Sequence, residues 1–481
     1  MENELISTKE LEELIIARKV KEVRNIFEVV PTIDIAEACD DFEDISHLVF
    51  IFKFVKSEYT ADLFTELASD TKEKLIQVMS DSELAKILES QFTDDLVDDL
   101  EDLPANLVTR VLRNVSKEKR DVINKLLNYK ENTAGSIMTT EFLSLNDDLT
   151  ADEAIRAIRR KGKTKETIYT IFVIDNSRTL VGTLDLDELI FAKDDEPISD
   201  LMNRDYVTCL VNDDQEEVAN QMKRYDLNAI AVLNNENRLI GIITVDDIVD
   251  VIEQEATEDM SKMAGVAPLE NSYLETSVTK MALKCAPWLM VLLIFGTFSS
   301  MILNKFENAL GALPILVPFV TVLMDTGGNA GGQTTTLIVR GLAVQEFTPK
   351  NYFKILWKEM RVAMLTGLMV CAFSCLWFLG EMYLNIINFD GAELSATGEA
   401  LTGWTLFLSR LEIAGLVSGT LFLGIIVAKF VGTSLPMLVA ALKKDPALIS
   451  SPFVTTIVDV CSLLIYLGFA YLLFGNILPA L

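Results

Sequence analysis

The sequence predicts a multidomain protein. An all-α superhelical N-terminal domain, a repeated α/β domain and an acidic connecting helix precede a polytopic α-helical membrane domain with five transmembrane helices. Three observations predict it. Charge is split along the chain: 71 Asp/Glu stand against 42 Lys/Arg, for a net charge of −29, yet residues 276–481 carry 12 basic and 11 acidic residues, leaving 30 and 60 for residues 1–275. Near residue 132 the helical spacing of apolar residues gives way to short β-branched runs alternating with helices, and that pattern occurs twice. Five long apolar segments then fill the C-terminal part.

The split excludes several functions. So acidic a soluble half repels nucleic acid, whose phosphates require Lys/Arg, and repels anionic lipid surfaces, leaving cations as the expected partners. Cys39, Cys209, Cys285, Cys371, Cys375 and Cys461 show no zinc-like spacing, so neither a disulfide framework nor a soft-metal site is expected, and a reducing cytosol suits the soluble half. His47 is the single histidine, which argues against a histidine triad or proton relay. With no nucleophile–base constellation and no phosphate loop, an enzyme is not expected. Met1–Val20 is charged and lacks the apolar core of a signal peptide, so export of the soluble half is not expected.

Residues 1–131 read as short amphipathic helices. Leu84, Ile87 and Leu88, then Leu96, Leu100 and Leu103, fall three and four apart, and Pro31, Pro104, Ser80, Thr93 and Ser116 mark helix ends, as in a small solenoid. Residues 132–252 hold the repeat. Its first copy runs from Ile137-Met-Thr-Thr through Thr170-Ile-Phe-Val-Ile and Leu180-Val-Gly-Thr-Leu to Leu186-Asp-Glu-Leu. Its second runs from Leu201-Met-Asn-Arg through Ala229-Ile-Ala-Val-Leu and Leu239-Ile-Gly-Ile-Ile to Val245-Asp-Asp-Ile. Gly182 and Gly241 stand 59 residues apart, room for one βαββα unit. The pair resembles tandem cystathionine-β-synthase (CBS) domains, regulatory modules that often bind adenine nucleotides.

Residues 253–279 carry Glu253, Glu255, Glu258, Asp259, Lys262 and Glu270 without an apolar stretch, and read as the connecting helix. In residues 280–481 the apolar segments lie at about 285–303, 309–344, 362–387, 411–442 and 447–478. Crossing a bilayer takes roughly 20 residues. Lys280, Lys284, Lys350, Lys354, Lys358, Arg361, Lys443 and Lys444 cluster in loops on the side of the N-terminal domains. Lys305, Arg410 and an acidic loop with Asp390, Glu393 and Glu399 lie on the other. Positive residues mark the cytoplasmic face, so the soluble half is expected inside and Leu481 outside.

Two stretches carry chemistry. Asp325-Thr-Gly-Gly-Asn-Ala-Gly-Gly-Gln333 interrupts the second apolar segment, and its glycines are expected to let peptide groups leave the helix and line a wet cavity, with Gly328, Asn329 and Gln333 as pore lining. A glycine-rich helix-packing surface is the alternative. Asp459, in Pro452-Phe-Val-Thr-Thr-Ile-Val-Asp459, is a carboxylate in an apolar segment and points to a cation site, the alternative being a protonated acid or one bridged by Lys429. Lys429 itself is expected to snorkel or pair with an acid.

These stretches, with Asp445-Pro-Ala-Leu and the acidic run Thr244 to Asp259, resemble those of the bacterial MgtE family of magnesium transporters, and the likeness covers the whole chain in domain order. It implies a homodimeric, Mg²⁺-selective channel of the cell membrane, closed by cytosolic Mg²⁺, with its pore on the dimer axis between the second and fifth helices. Residues 253–279 would then be a plug helix, and Asp459 the pore-ion ligand. Asp445 would face the plug. Asp62, Asp94, Asp98, Asp214, Glu216, Asp226, Asp247, Asp250, Glu255, Glu258 and Asp259 would be Mg²⁺-sensing acids. Independently of the likeness, acidic surfaces apposed across domains repel until divalent cations bridge them. Thr244 and Asp247 fall in Gly-x-x-Thr-x-x-Asp, the CBS ribose-contact pattern. In the first repeat Asp185 and Glu188 replace those two residues, so regulation by ATP stays open. A CBS-regulated membrane-anchored sensor, an ion-coupled exchanger and a transporter of another divalent cation such as Co²⁺ are the competing readings.

Overall fold

The computed structural model describes residues 7–269, 273, 276–384, 386, 402–449 and 451–474. Glu270, the acidic loop with Asp390, Glu393 and Glu399, and the expected end of the last span lie outside the described residues. Residues 1–253 and 254–481 form two compact units.

The first unit opens with ten helices: α1 (Thr8–Ile16), α2 (Val20–Val29), α3 (Thr32–Asp40), α4 (Ile45–Phe54), α5 (Ser57–Glu66), α6 (Ser69–Val78), α7 (Asp81–Ser90), α8 (Thr93–Asp102), α9 (Ala105–Asn114) and α10 (Lys117–Leu126). Local chemistry sets their length. Pro31 and Pro104 stand where one helix cannot continue and the next begins, Ser80 and Glu83 form a capping box, and the Ser116 hydroxyl accepts from Lys119 N. Thr93 differs from expectation. It is the first residue of α8 rather than its cap, and its hydroxyl donates instead to Glu141 in the α/β domain. Leu84, Ile87, Leu88, Leu96 and Leu100 are buried, in one core that continues through Ala134, Met138, Val218 and Ile230.

Each α/β repeat is a three-stranded sheet: β1 (Ser144–Asn146), β2 (Thr170–Ile174) and β3 (Leu180–Asp185), then β4 (Thr208–Leu210), β5 (Ala229–Leu233) and β6 (Leu239–Thr244), in orders β1-β2-β3 and β4-β5-β6. The first pair of each sheet is parallel and the second antiparallel, with Gly182 opposite Val173 and Gly241 opposite Val232. The glycines hold equivalent registers. Helices α11 (Ala151–Lys161), α12 (Leu186–Phe191), α13 (Ile198–Leu201) and α14 (Gln215–Tyr225) complete the pair. The leading segments are exchanged: Thr139, in the opening stretch of the first copy, bridges to Ile242 of the second, and Asn203 of the second bridges to Thr183 of the first. Side chains at Gly182 and Gly241 would collide with Met202 and Met138 on these crossing segments, so the glycines are what the exchange requires.

Helix α15 (Val245–Ala264) runs unbroken past the expected boundary at residue 253 and stops at Gly265, whose φ of +75° closes the helix. The connecting helix therefore ends well before residue 279. Beyond it lie α16 (Val278–Lys305), α17 (Glu307–Ala312), α18 (Val317–Ala343), α19 (Tyr352–Tyr383), α20 (Gly403–Ala441) and α21 (Ser451–Phe474). Among the described residues, α16, α19 with its preceding turn, α20 and α21 are long and apolar enough to cross a membrane. Helix α18 has the length but a more polar composition. It packs against α20 and α21, and its first turns share a core with them through Phe319, Leu323, Val417, Leu463 and Tyr466.

Candidate cation path and cation-sensing acids

Helix α18 is continuous from Asp325 through Gln333, which corrects the expectation that its glycines release peptide groups from the helix. They serve close packing instead. A Cβ on Gly327 would lie 2.7 Å from Ser462 Oγ, and one on Gly331 would lie 3.1 Å from Val454 and 3.2 Å from Val458; one on Gly328 would collide with Thr455. The helix thus lies against α21 along Gly327, Gly328, Gly331 and Gly332, and Thr455 Oγ1 donates to Gly328 O at 3.4 Å. Because each residue turns the helix by about 100°, the expected lining residues are divided between faces. Gly328 is buried against α21, whereas Asn329 and Gln333 are exposed and share a stripe with Asp325.

Asp459 lies at this contact. A Cβ on Gly328 would be 3.4 Å from Asp459 Oδ1, which brings the carboxylate up against the glycine face of α18. Oδ1 is buried without a hydrogen-bond partner, as is Ser462 Oγ one turn on. A carboxylate oxygen left without a donor in apolar surroundings is costly, and it fits a site completed by a hydrated cation. Lys429 does not bridge it. Its Nζ lies 3.3 Å from Glu359 Oε2 on α19.

In the first unit the geometry gathers acids at the junction of the helical and α/β domains. Asp94 of α8 is buried, with Oδ1 unpartnered. Burial, together with the charges of Asp95, Glu166 and Asp247, pushes its carboxyl up to about 9. Glu166, whose Oε2 is also orphaned, is pushed up to about 8 by burial and by Asp95 and Asp247. Burial and Asp99 raise Asp95 to about 6, against the pull of Lys72. Asp247, also raised by burial, accepts from Thr244 Oγ1 at 2.7 Å. Glu166, Glu141 and Asp95 were missed by sequence reasoning. Asp95 simply follows Asp94 on α8, whereas Glu166 and Glu141 sit in loops, and only the tertiary fold brings Glu166 to Asp94 and Asp247 and Glu141 to Glu166 and Thr93.

The other expected sensor acids are dispersed. Asp62 and Asp98 are exposed. Asp214 caps α14, accepting from Glu216 N at 3.0 Å, while Asp226 closes the other end of that helix in left-handed conformation. At 1.5 Å per residue they stand roughly 18 Å apart. Asp250 is exposed. Among the described residues, no three His, Cys, Asp or Glu side chains converge to hold an ion.

In the second unit Lys262, unassigned by the sequence, joins the acids expected at the plug. Its Nζ is 2.6 Å from Glu258 Oε1 and 2.8 Å from Asp445 Oδ2. Burial alone would lower the ammonium, but hydrogen bonds to Asp445 and Glu258 hold it well above its usual range. Asp445 Oδ1 accepts from Ala447 N at 2.8 Å. Burial and the Asp445 charge raise Asp259 to about 6, which Lys262 opposes. Glu255 stands one turn before Asp259 on α15.

Comparison with known proteins follows the same division. Residues 30–132 match the MgtE intracellular N domain, residues 134–195 and 198–254 match CBS domains, and residues 320–469 match the family described as MgtE, divalent cation transporter. A magnesium transporter MgtE of Thermus thermophilus is 37% identical over 354 residues, 74% of this chain and 73% of that one. One of Enterococcus faecalis is 33% identical over 73% and 72% of the two chains, and one of Bacillus subtilis is 28% identical over 94% of each. The chain belongs to the MgtE family of divalent cation transporters.

Proposed function

We propose that the protein is a Mg²⁺-selective channel of the cell membrane, working as a homodimer and closed by cytosolic Mg²⁺. The observation that carries this reading is Asp459, whose buried and unpartnered Oδ1 faces the glycine contact of α18 and α21. Relatives that cover most of the chain are magnesium transporters. Mg²⁺ gives up its waters reluctantly, so carboxylate oxygens that grip the hydrated ion suit it as cargo better than a cage of direct ligands. Two symmetry-related Asp459 side chains would double the charge, and the exposed stripe of Asp325, Asn329 and Gln333 would meet its mate across the axis.

Helix α18 supplies the fifth crossing. Its 27 residues span about 40 Å, and its polar composition suits a helix surrounded by protein rather than lipid. The arginine and lysine distribution supports cytoplasmic N-terminal domains and an external C-terminus, with the exposed apolar faces of α16 and α19 against lipid. Residues 254–264 of α15 act as the plug. Cytosolic Mg²⁺ would bridge Asp94, Asp247 and their neighbours, and Glu255, Glu258, Asp259 and Asp445, favouring the closed state. Asp62, Asp98, Asp214, Glu216, Asp226 and Asp250 would serve as outer ligands, within one chain or across the dimer. The Thr244–Asp247 pair suits a nucleotide ribose and supports ATP as a regulatory ligand.

Complementation tests the reading. The wild type should restore growth at low Mg²⁺ to a strain lacking its own uptake systems, and Asp459→Ala should not. Rescue by Asp459→Ala at equal membrane abundance would discard the pore assignment, and uptake of Co²⁺ in preference to Mg²⁺ would change the cargo.

A further inference from the structure

The transport reading leaves one buried ion pair without a task. Lys429, about two-thirds of the way along α20, is 6% exposed. Its Nζ lies 3.3 Å from Glu359 Oε2 on α19 and donates to Thr334 Oγ1 on α18 at 3.0 Å. Charges at this depth are expensive, and a well-packed apolar pair would fill the space at lower cost. What the pair provides is geometry, because one ammonium touches side chains of two other helices. Thr334 is fully buried and its hydroxyl also donates to Ala330 O at 3.3 Å, so the accepting lone pair is turned toward Lys429. One turn along α20, Gly432 abuts α18, where a Cβ would lie 2.6 Å from Gly331 O. Gly331 belongs to the same glycine face that meets α21 opposite Asp459.

We infer that the Glu359–Lys429 pair positions α18: through Thr334 it fixes the rotation and depth at which Gly328 meets Asp459 and at which Asn329 and Gln333 face away. A slip of one residue would turn α18 by about 100° and exchange those faces. The geometry stands without the transport reading, but its consequence for ion selection rests on that reading. Lys429 and Glu359 touch no cargo in this account. They act through Thr334.

Thr334→Val tests this in the full-length protein, because it removes the acceptor while leaving volume and ion pair in place. Thr334→Ser restores the acceptor. In proteoliposomes, Thr334→Val should lower the Mg²⁺-over-Ca²⁺ flux ratio by about tenfold, the size expected for a lost hydrogen bond to a charged group, and Thr334→Ser should keep the wild-type ratio. The paired neutral variant Glu359→Gln/Lys429→Met should behave like Thr334→Val if it reaches the membrane. A second measurement needs no transport: the rate at which Gln333→Cys reacts with a membrane-impermeant thiol reagent, against the background of the native cysteines, should change when Thr334→Val is added and not when Thr334→Ser is. Wild-type selectivity and an unchanged modification rate in Thr334→Val would overturn the inference. A wild type without Mg²⁺ flux would defeat the transport reading, while the cysteine rate would still decide the positioning role.

Discussion

Asp459 was legible as a site in the sequence because a carboxylate two turns into an apolar helix has few inexpensive explanations. Its surroundings were not legible, since the glycines opposite it belong to another helix. We expect Asp459→Ala to reduce Mg²⁺ flux at least about a hundredfold, by analogy with removal of a single group essential for charge stabilisation, while the protein stays folded. Asp459→Asn should be severely impaired as well, and flux assays at matched protein levels check both. At Asp94 the fold adds what the sequence lacked: burial beside Glu166 and Asp247. The sequence left Lys429 to snorkel or to pair with an acid, and Glu359 supplies the acid from 70 residues away, a distance that no local pattern could bridge.

Among elements, α18 shows how one glycine-rich run supports two local structures. Gly weakens a helix by about 1 kcal/mol per residue, which favours unwinding, yet the same missing side chains allow the close contact with α21 that keeps the helix intact. The sequence could not choose between them because the choice depends on the neighbour. Gly331→Leu should therefore disrupt the contacts of α18 with α20 and α21, and detergent-solubilised protein should melt several degrees lower or fail to accumulate. For α15, the clustering of acids was visible in the sequence but the role of Lys262 was not, since its partner Asp445 lies 183 residues on. Asp247→Ala, Glu255→Ala and Glu258→Ala together should make the channel resist closure by internal Mg²⁺, since a ligand shifts a conformational equilibrium only through its differential affinity for the two states. Open probability in excised patches is the readout. An unmoved inhibition curve would place closure elsewhere.

At the scale of the whole molecule, domain order was legible because charge, period and hydropathy change together, while the exchange of leading segments between repeats was hidden by their similarity. The buried acids make the first unit sensitive to pH. Asp94 and Glu166, held near 9 and 8, keep protons that the unfolded chain releases near pH 4. Their contribution to stability is thus complete below about pH 4 and lost as pH rises through 8 and 9. Without divalent cations, the melting temperature of residues 1–272 should fall between pH 5.5 and 8 more steeply than in Asp94→Asn, and added Mg²⁺ should raise it more at pH 8. Small-angle scattering should also show compaction by millimolar Mg²⁺ that sodium chloride of equal ionic strength does not match. The central claim joins pore and sensor in one molecule, and flux into proteoliposomes tests it most directly, with Mg²⁺ varied independently on the side of the N-terminal domains. Flux should fall steeply as that Mg²⁺ rises through the millimolar range, and should stay at least about a hundredfold below wild type at every concentration in Asp459→Ala; flux indifferent to Mg²⁺ on that side, or close to the wild-type level in Asp459→Ala, would contradict the account.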